Sequence, residues 1–445
     1  MYISRVRLEN IRGFHGARNV DLTLTRPDRS HAGWTVIAGR NGSGKTSLLR
    51  AIALAASGPH IARSVVPDFD NWLSTDSDAG LADVNLEVDR SVDPFESLQP
   101  MFSEVYAGLK WHTSTRGHSR KAMLRTKVTS DVAVAMSGPW QENRSGWLCV
   151  AYGPFRRLTG GTPDTQRLMS GPGPVARVAS LFHEDASLAE GVGWLIQQHL
   201  RTFEEKPGAR ELRDAVLLLL ADGLLPDGYR IKSVDSEGLH VEKNGNQFPL
   251  REMSDGYRVV TALVVDIVKQ IHDAYGDLPL DTSGVVPAIT APGVVIIDEV
   301  DAHLHVSWQK RIGGWLKQHF PRIQFIVTTH SPYICQAADP GGLIRLPGPD
   351  ENVAPTVVDE DLYERVVYGS GDDAALSELF GLDSPYSEDA EKLRRELVAL
   401  EMVVLAGEAD DEQIQRYKNL RKTLTSSQLA RNDEVAARLM SRGAL

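Results

Sequence analysis

The chain alternates between short apolar runs, spaced as strands are, and longer stretches with helical periodicity. Tyr2–Leu8 and Val20-Asp21-Leu22-Thr23-Leu24 interleave apolar and polar side chains as half-buried strands do, on either side of Asn10-Ile11-Arg12-Gly13-Phe14. Thr35–Ala38 is a short, largely β-branched run. After a glycine-rich turn, apolar residues return at Leu48, Leu49 and Ile52 with helical spacing, and Gly58-Pro59 closes that helix. Val84–Val88 alternates again, and a further strand is expected within Met123–Val134. Trp147–Ala151 predicts a buried strand that ends in the turn Tyr152-Gly153-Pro154-Phe155-Arg156, and the Gly, Pro and Thr content of Thr159–Pro174 predicts a loop.

The second half is more regular. Leu188, Val192, Leu195, Ile196 and Leu200 mark one amphipathic helix, Leu212–Ala221 a second, and residues 230–250 a hairpin turning at Asn244-Gly245. Val259, Val260, Leu263, Val264, Ile267 and Ile271 lie on a helix that begins near Ser254. Val294-Val295-Ile296-Ile297 predicts a strand buried on both faces, as in a parallel sheet. Trp308, Ile312, Trp315, Leu316 and Phe320 predict one helix and Gln324–Thr328 the next strand. Ser387–Leu405 and Asp411–Leu424 read as two amphipathic helices joined by Ala406–Asp410. Asp410, Asp411 and Glu412 are acids at a helix start, favoured by the dipole.

Composition narrows the class without naming a chemistry. The 445 residues, 42% hydrophobic and 24% charged, suffice for two or three domains' worth of core or for one elaborated α/β domain. A net charge of −11 argues against a chain coated for nucleic acid, although a local basic groove remains compatible with it. Arg116, His118, Arg120, Lys121, Arg125 and Lys127 form such a run, which could touch a phosphate backbone or simply be a solvated hairpin. Cys149 and Cys335 fall in apolar stretches far apart and read as buried thiols in a reducing compartment; a disulfide is the alternative, and no zinc spacing occurs. With no signal peptide and no apolar run long enough for a bilayer, a cytoplasmic protein without a membrane partner is expected.

The candidate chemistry begins at Gly39-Arg40-Asn41-Gly42-Ser43-Gly44-Lys45-Thr46, a complete G-x-x-x-x-G-K-[ST] match between a strand and a helix. Gly39, Gly42 and Gly44 let backbone N–H groups turn inward around an anion. Lys45 would reach the β/γ-phosphates, the Thr46 hydroxyl would bind Mg²⁺, and the helix N-terminus adds positive potential. Asn41, Ser43 and Ser47 complete the expected nucleotide-binding set, with Arg12 from the turn after the first strand. Asp298, at the end of Val294–Ile297, would hold Mg²⁺, and Glu299 would polarise the attacking water as general base. His303 and His305, two apart, cannot share one helical face and are not read as a zinc pair.

In this order, Met253-Ser254-Asp255-Gly256-Tyr257-Arg258 resembles the signature of ABC-class ATPases, and Thr328-Thr329-His330-Ser331-Pro332 resembles the stretch carrying their switch histidine. Asp301-Ala302-His303-Leu304-His305-Val306 is similar to a dimer-seam stretch, usually Glu-x-His-Leu-His-Pro, from which Asp301 and Val306 depart. Across roughly residues 1–345 the chain looks most like the stand-alone RecF/OLD-like ATPases of bacterial anti-phage systems, which include Septu-type ATPase subunits working beside an HNH nuclease. The resemblance implies an α/β fold: an ABC-type P-loop NTPase head with a mixed or parallel central sheet, an inserted helical lobe and a helical C-terminal tail. It implies a head over residues 1–358, with a helical/β insertion at about 60–250, and a helical accessory or partner-docking region over 359–445. It also implies ATP and Mg²⁺ as cofactors and His330 at the γ-phosphate. Ser254, Asp255 and Gly256 would act in trans, so that two heads sandwich the nucleotide head to tail. A homodimer or higher homo-oligomer, a separate effector such as an HNH nuclease, and nucleic acid are the partners it allows; a RecF- or SMC-like repair ATPase that binds DNA directly is the alternative.

Overall fold

Period-two alternation in wholly buried strands gives the centre of the molecule two cores, one on each face. In the computed structural model, which describes residues 1–26, 28–95, 103–116, 119–125, 130–142, 144–156, 158, 162–169, 173–382 and 384–424, the chain divides into two compact units, Met1–Gly381 and Leu382–Leu445. In chain order, β1 (Tyr2–Glu9), β2 (Val20–Thr23) and β3 (Trp34–Ala38) precede α1 (Lys45–Ser57) and α2 (Pro59–Val65). Strands β4 (Ala79–Glu87), β5 (Glu104–Arg116) and β6 (Ser119–Arg125), helix α3 (Ser130–Met136) and β7 (Cys149–Tyr152) follow. A helical run comes next: α4 (Pro163–Met169), α5 (Gly173–Phe182), α6 (Ala189–Phe203) and α7 (Ala209–Ala221).

The meander β8 (Arg230–Asp235), β9 (Gly238–Lys243) and β10 (Asn246–Pro249) leads to the long α8 (Asp255–Tyr275). After the small pair β11 (Leu280–Asp281) and β12 (Ala288–Ile289) come β13 (Gly293–Ile297), α9 (Val306–Gln309), α10 (Ile312–His319) and β14 (Ile323–Thr329). The first unit ends with α11 (Pro332–Cys335), β15 (Leu343–Arg345), β16 (Thr356–Val357), α12 (Glu360–Val367) and α13 (Gly371–Ala375). It continues past residue 358 because Val366, Ala374 and Leu379 are buried in its core.

The central sheet has the order β16-β15-β3-β14-β13-β7, parallel except for β16. One face presents Ile37, Val294, Ile296 and Ile326 to α1, which is apolar around almost its whole circumference and is covered on its far side by a second sheet. That sheet is antiparallel, β2-β1-β4-β5-β6, and contributes Val6, Leu8, Val84, Leu86, Leu109 and Trp111 to the same core. The other face presents Trp34, Val36, Val295, Ile297, Phe325 and Val327 to α8 and α10. The result is an α/β fold with a mixed central sheet. Residues 60–250 supply strands to both sheets as well as the helices α4 to α7.

Four local expectations are corrected. The Thr159–Pro174 stretch holds α4 and the start of α5 among its described residues, anchored where Thr162 N–H and the Thr165 hydroxyl both donate to Asp185, each at 2.9 Å. Met123–Val134 divides between the end of β6 and helix α3. The single helix expected over Trp308–Phe320 is two, α9 and α10, with Arg311 as the N-cap from which the second begins. The hairpin at 230–250 is a three-stranded meander, although Asn244-Gly245 does make its second turn, with φ of +52° and +82°.

Lys121 and Arg125 on β6 are exposed, whereas His118 and Lys127 of the basic run lie outside the described residues. Both cysteines are free and buried. No helix among the described residues is long and apolar enough to cross a membrane. In the second unit, α14 (Glu388–Leu405) and α15 (Asp411–Thr423) form an antiparallel hairpin tied by a bidentate Arg416–Glu396 pair (2.7 and 2.8 Å), and α15 opens on an Asp410 capping box.

Candidate nucleotide-binding and hydrolysis site

Four parallel strands end side by side at the carboxyl edge of the central sheet, where ligands of open α/β sheets bind. Strand β3 runs into the glycine-rich loop, β13 into Asp298 and Glu299, β14 into His330, and β7 into Gly153–Arg156. The loop is crowded from behind. A Cβ on Gly39 would lie 2.6 Å from the Leu346 carbonyl oxygen, and one on Gly44, where φ is +101°, would lie 2.8 Å from the Phe14 ring. Lys45 is buried at the start of α1 and donates from Nζ to the carbonyls of Gly39 (2.7 Å) and Arg40 (3.2 Å). Burial lowers its pKa, opposed by Asp298, Glu299 and Asp301. Its ammonium thus sits inside the loop, where phosphate oxygens would replace the carbonyls as its partners.

Two arginines frame the loop. Arg18 is buried and spreads its guanidinium over main-chain carbonyls, those of Ser43 (3.2 Å), Pro347 (3.2 Å), Glu351 (2.7 Å), Gly13 (3.2 Å) and Gly348. Arg12, itself at φ +50°, stacks over Trp72 with its guanidinium carbon 4.9 Å from the ring centre and donates to Ser47 Oγ at 3.3 Å. Its Nε and the nearby Ser43 Oγ are buried without a partner. Spare donors of this kind suit a phosphate chain. Burial, and secondarily Arg50, lowers the Arg12 pKa. Asn41 and Gly42 are exposed at the loop tip.

The acid pair meets the loop directly. Thr46 Oγ1 donates to Asp298 Oδ2 at 2.7 Å, and Thr328 Oγ1 donates to Oδ1 at 2.5 Å. Asp298 is fully buried at the end of β13. A hydroxyl and a carboxylate in contact are the hard oxygen donors that Mg²⁺ takes alongside its waters, so Thr46 and Asp298 fit that ion. Glu299, at φ +46°, is half-buried beside them, and its N–H donates to Thr328 Oγ1 at 2.8 Å. Arg156, wholly buried, donates to the carbonyls of Asp298 (2.9 Å) and Glu299 (3.0 Å) from beneath.

His330 is exposed after β14, its N–H 3.3 Å from Asp301 Oδ1, which also accepts from Thr329 Oγ1. Burial of its ring, then the Lys45 charge, lowers its pKa, while Glu299, Asp301 and Asp298 pull the other way.

Ser254 occupies the N-cap position of α8, although its side chain makes no capping bond. Ser254 and Asp255 are exposed, Asp255 pairing with Arg258. A Cβ on Gly256 would come within 2.5 Å of the His303 carbonyl oxygen, so this tip is wedged against the Asp301–His305 turn. Among the described residues no hydrogen bond joins 254–256 to the loop 39–47.

The motif spacing located Lys45, Thr46, Asp298, Glu299 and His330, and the structure gathers these at one edge. Arg18 had no local signal. Arg156 had a weak one, a cation two residues beyond a Gly-Pro turn at the end of a buried strand.

Residues 181–336 match the family described as "AAA domain, putative AbiEii toxin, Type IV TA system", and residues 5–90 match one described as "AAA domain". The chain is 25% identical over 332 residues to the Septu protein PtuA of Bacillus mycoides (strain KBAB4), which covers 74% of this chain and 38% of that protein. It is 40% identical over 101 residues to the "Retron Ec83 probable ATPase" of Escherichia coli, 23% of this chain and 17% of that protein. The chain thus spans well under half the length of these curated relatives. A solved SMC head bound to the C-winged helix domain of ScpA aligns with a TM-score of 0.46 and 17% identity over 80% of this chain and 98% of that one. By sequence, the chain resembles AAA-domain ATPases and the Septu protein PtuA.

Proposed function

We propose that the chain is a Mg²⁺-dependent ATPase whose heads associate around ATP, and that this association is a switch for a separate effector in bacterial anti-phage defence. The 2.7 Å contact between Thr46 Oγ1 and Asp298 Oδ2 carries the catalytic part of the reading, because it joins the two segments that an ATPase must bring together. Backbone N–H groups of the loop and Lys45 would hold the phosphates, with Arg12, Asn41, Ser43 and Ser47 around them. Thr46 and Asp298 would hold Mg²⁺, which when bound neutralises charge on the β- and γ-phosphates. Glu299 would take a proton from the attacking water, and His330 would meet the γ-phosphate.

Ser254, Asp255, His303, His305 and His330 are all exposed, which supports a role in contacting the nucleotide held by a second copy. Of the C-terminal region from residue 359, the part beyond Gly381 would serve partner docking, since the residues before it belong to the first unit. Likeness to PtuA supports the defence role and, with it, a partner effector such as an HNH nuclease. A second reading, a RecF- or SMC-like repair ATPase that binds DNA directly, draws support from Lys110 and Arg125. These two cations face each other across β5 and β6 with both side chains exposed. DNA-stimulated turnover without any partner protein would favour it.

The test is turnover and nucleotide affinity in two variants. Lys45→Ala is expected to lose ATP binding, and wild-type affinity there would contradict the phosphate-binding assignment. Glu299→Gln is expected to lower turnover by about 10²–10⁴ with affinity nearly intact, and full turnover would remove Glu299 as the base.

A further inference from the structure

We propose that Arg156 is a positioning residue for hydrolysis, clasping the main chain of the Asp298–Ala302 turn and thereby fixing where the Glu299 carboxylate points. The inference rests on the reading of Glu299 as general base.

The geometry is unusual for an arginine. The side chain is 3% exposed, yet among the described residues its hydrogen bonds go to main-chain carbonyls and to no carboxylate: Nη1 to Asp298 (2.9 Å) and Gly153 (3.2 Å), Nη2 to Glu299 (3.0 Å), Ala302 (3.3 Å) and Val300 (3.5 Å). Burying a guanidinium without a bonded ion partner is expensive. The charges of Asp301, Asp298 and Glu299 nearby and the converging carbonyl dipoles offset that cost, while burial still pulls its pKa down to about 10. Carbonyls converge here only because the chain turns sharply, with Glu299 left-handed at φ +46° and Ala302 N–H closing on the Glu299 carbonyl at 2.9 Å. A left-handed conformation is unfavourable for a glutamate, so the surroundings must impose it.

Both peptide groups of Glu299 are held by side chains, its N–H by Thr328 Oγ1 and its carbonyl by Arg156. The clamp also ties this turn to the end of β7 through Gly153. A lysine, with one point charge in place of a planar fork, cannot span the same set of carbonyls.

Arg156→Lys and Arg156→Gln, each alone and combined with Glu299→Gln in the full chain, provide the test. Steady-state turnover, affinity for a fluorescent ATP analogue with Mg²⁺, and the thermal midpoint are measured. Turnover is expected to fall about 10- to 100-fold, the cost of misplacing a reacting group by about 1 Å, with affinity changed less than about 3-fold. In the Glu299→Gln background no further fall is expected, because the group being positioned is already gone.

A loss that multiplies with Glu299→Gln, or that tracks a fall in affinity and midpoint, would make Arg156 structural and overturn the inference. Arg156→Lys keeps the charge and carries the test if Arg156→Gln does not fold. Normal turnover in both Arg156 variants beside an impaired Glu299→Gln overturns this inference alone. Normal turnover in Glu299→Gln overturns the general-base reading and this one with it.

Discussion

At Gly44 the left-handed φ of +101° and the Phe14 ring, 2.8 Å from where a Cβ would sit, leave room for hydrogen and nothing larger. Gly44→Ala combines backbone strain with a clash against a buried ring. It should lower unfolding stability by about 1–3 kcal/mol, read as an earlier denaturant midpoint. An unchanged midpoint would mean the loop adopts another conformation. The two thiols give a second check. Burial pushes Cys149 up to about 11 and Cys335 higher, so both remain protonated between pH 7 and 9, and neither is accessible. Native protein should resist alkylation across that range while denatured protein reacts at both sites; fast labelling of the native form would contradict the burial of β7 and α11.

Residues such as Gly44, Lys45 and Asp298 were legible because a fixed local spacing encodes their turn. Arg18 and Arg156 were not, because their partners lie 330 and 142 residues away at Gly348 and Asp298, and only the folded chain brings them together.

Among elements, the strands buried on both faces and the helix α8 read directly from period two and period 3.6. The errors fell where tertiary contacts override composition. Within a Gly- and Pro-rich stretch, Pro163–Met169 form helix because Thr162 and Thr165 at its start donate to Asp185, and α10 restarts at Ile312 where Gly313 comes so close to Ala337 that a Cβ would lie 2.6 Å from its methyl. One strand–helix tie makes a prediction of its own. Tyr152 on β7 donates to Asp266 Oδ2 on α8 at 2.8 Å, deep in the core, and burial raises the Asp266 pKa. A carboxyl that keeps its proton to higher pH when folded helps most in acid, and that help is lost as pH rises through the raised value. Above the ordinary carboxylate range this burial is therefore a cost whether or not the folded carboxyl has ionised, and Asp266→Asn, which keeps an acceptor for Tyr152, should stabilise the protein at pH 7 by about 1 kcal/mol. The gain should shrink as pH falls toward about 4. Equal destabilisation by Asp266→Asn at every pH would contradict the raised pKa.

For the whole molecule, the proposal turns on a division of labour between copies. One chain holds a loop and an acid pair in contact, while its own Ser254–Gly256 tip is wedged against His303. The sequence order of the motifs made the head legible. The proposed assembly is not legible in the same way, since it would depend on a surface that no single chain completes.

Mixing two inactive variants tests this directly. Lys45→Ala removes the loop's cation but keeps the tip, and Ser254→Arg blocks the tip but keeps the loop. Each alone should be without turnover. An equimolar mixture should recover up to about a quarter of wild-type activity, because half of randomly assorted dimers are mixed and each has one intact composite site. Full activity of Ser254→Arg by itself, or a mixture as inactive as its parts, would contradict a nucleotide shared between two copies.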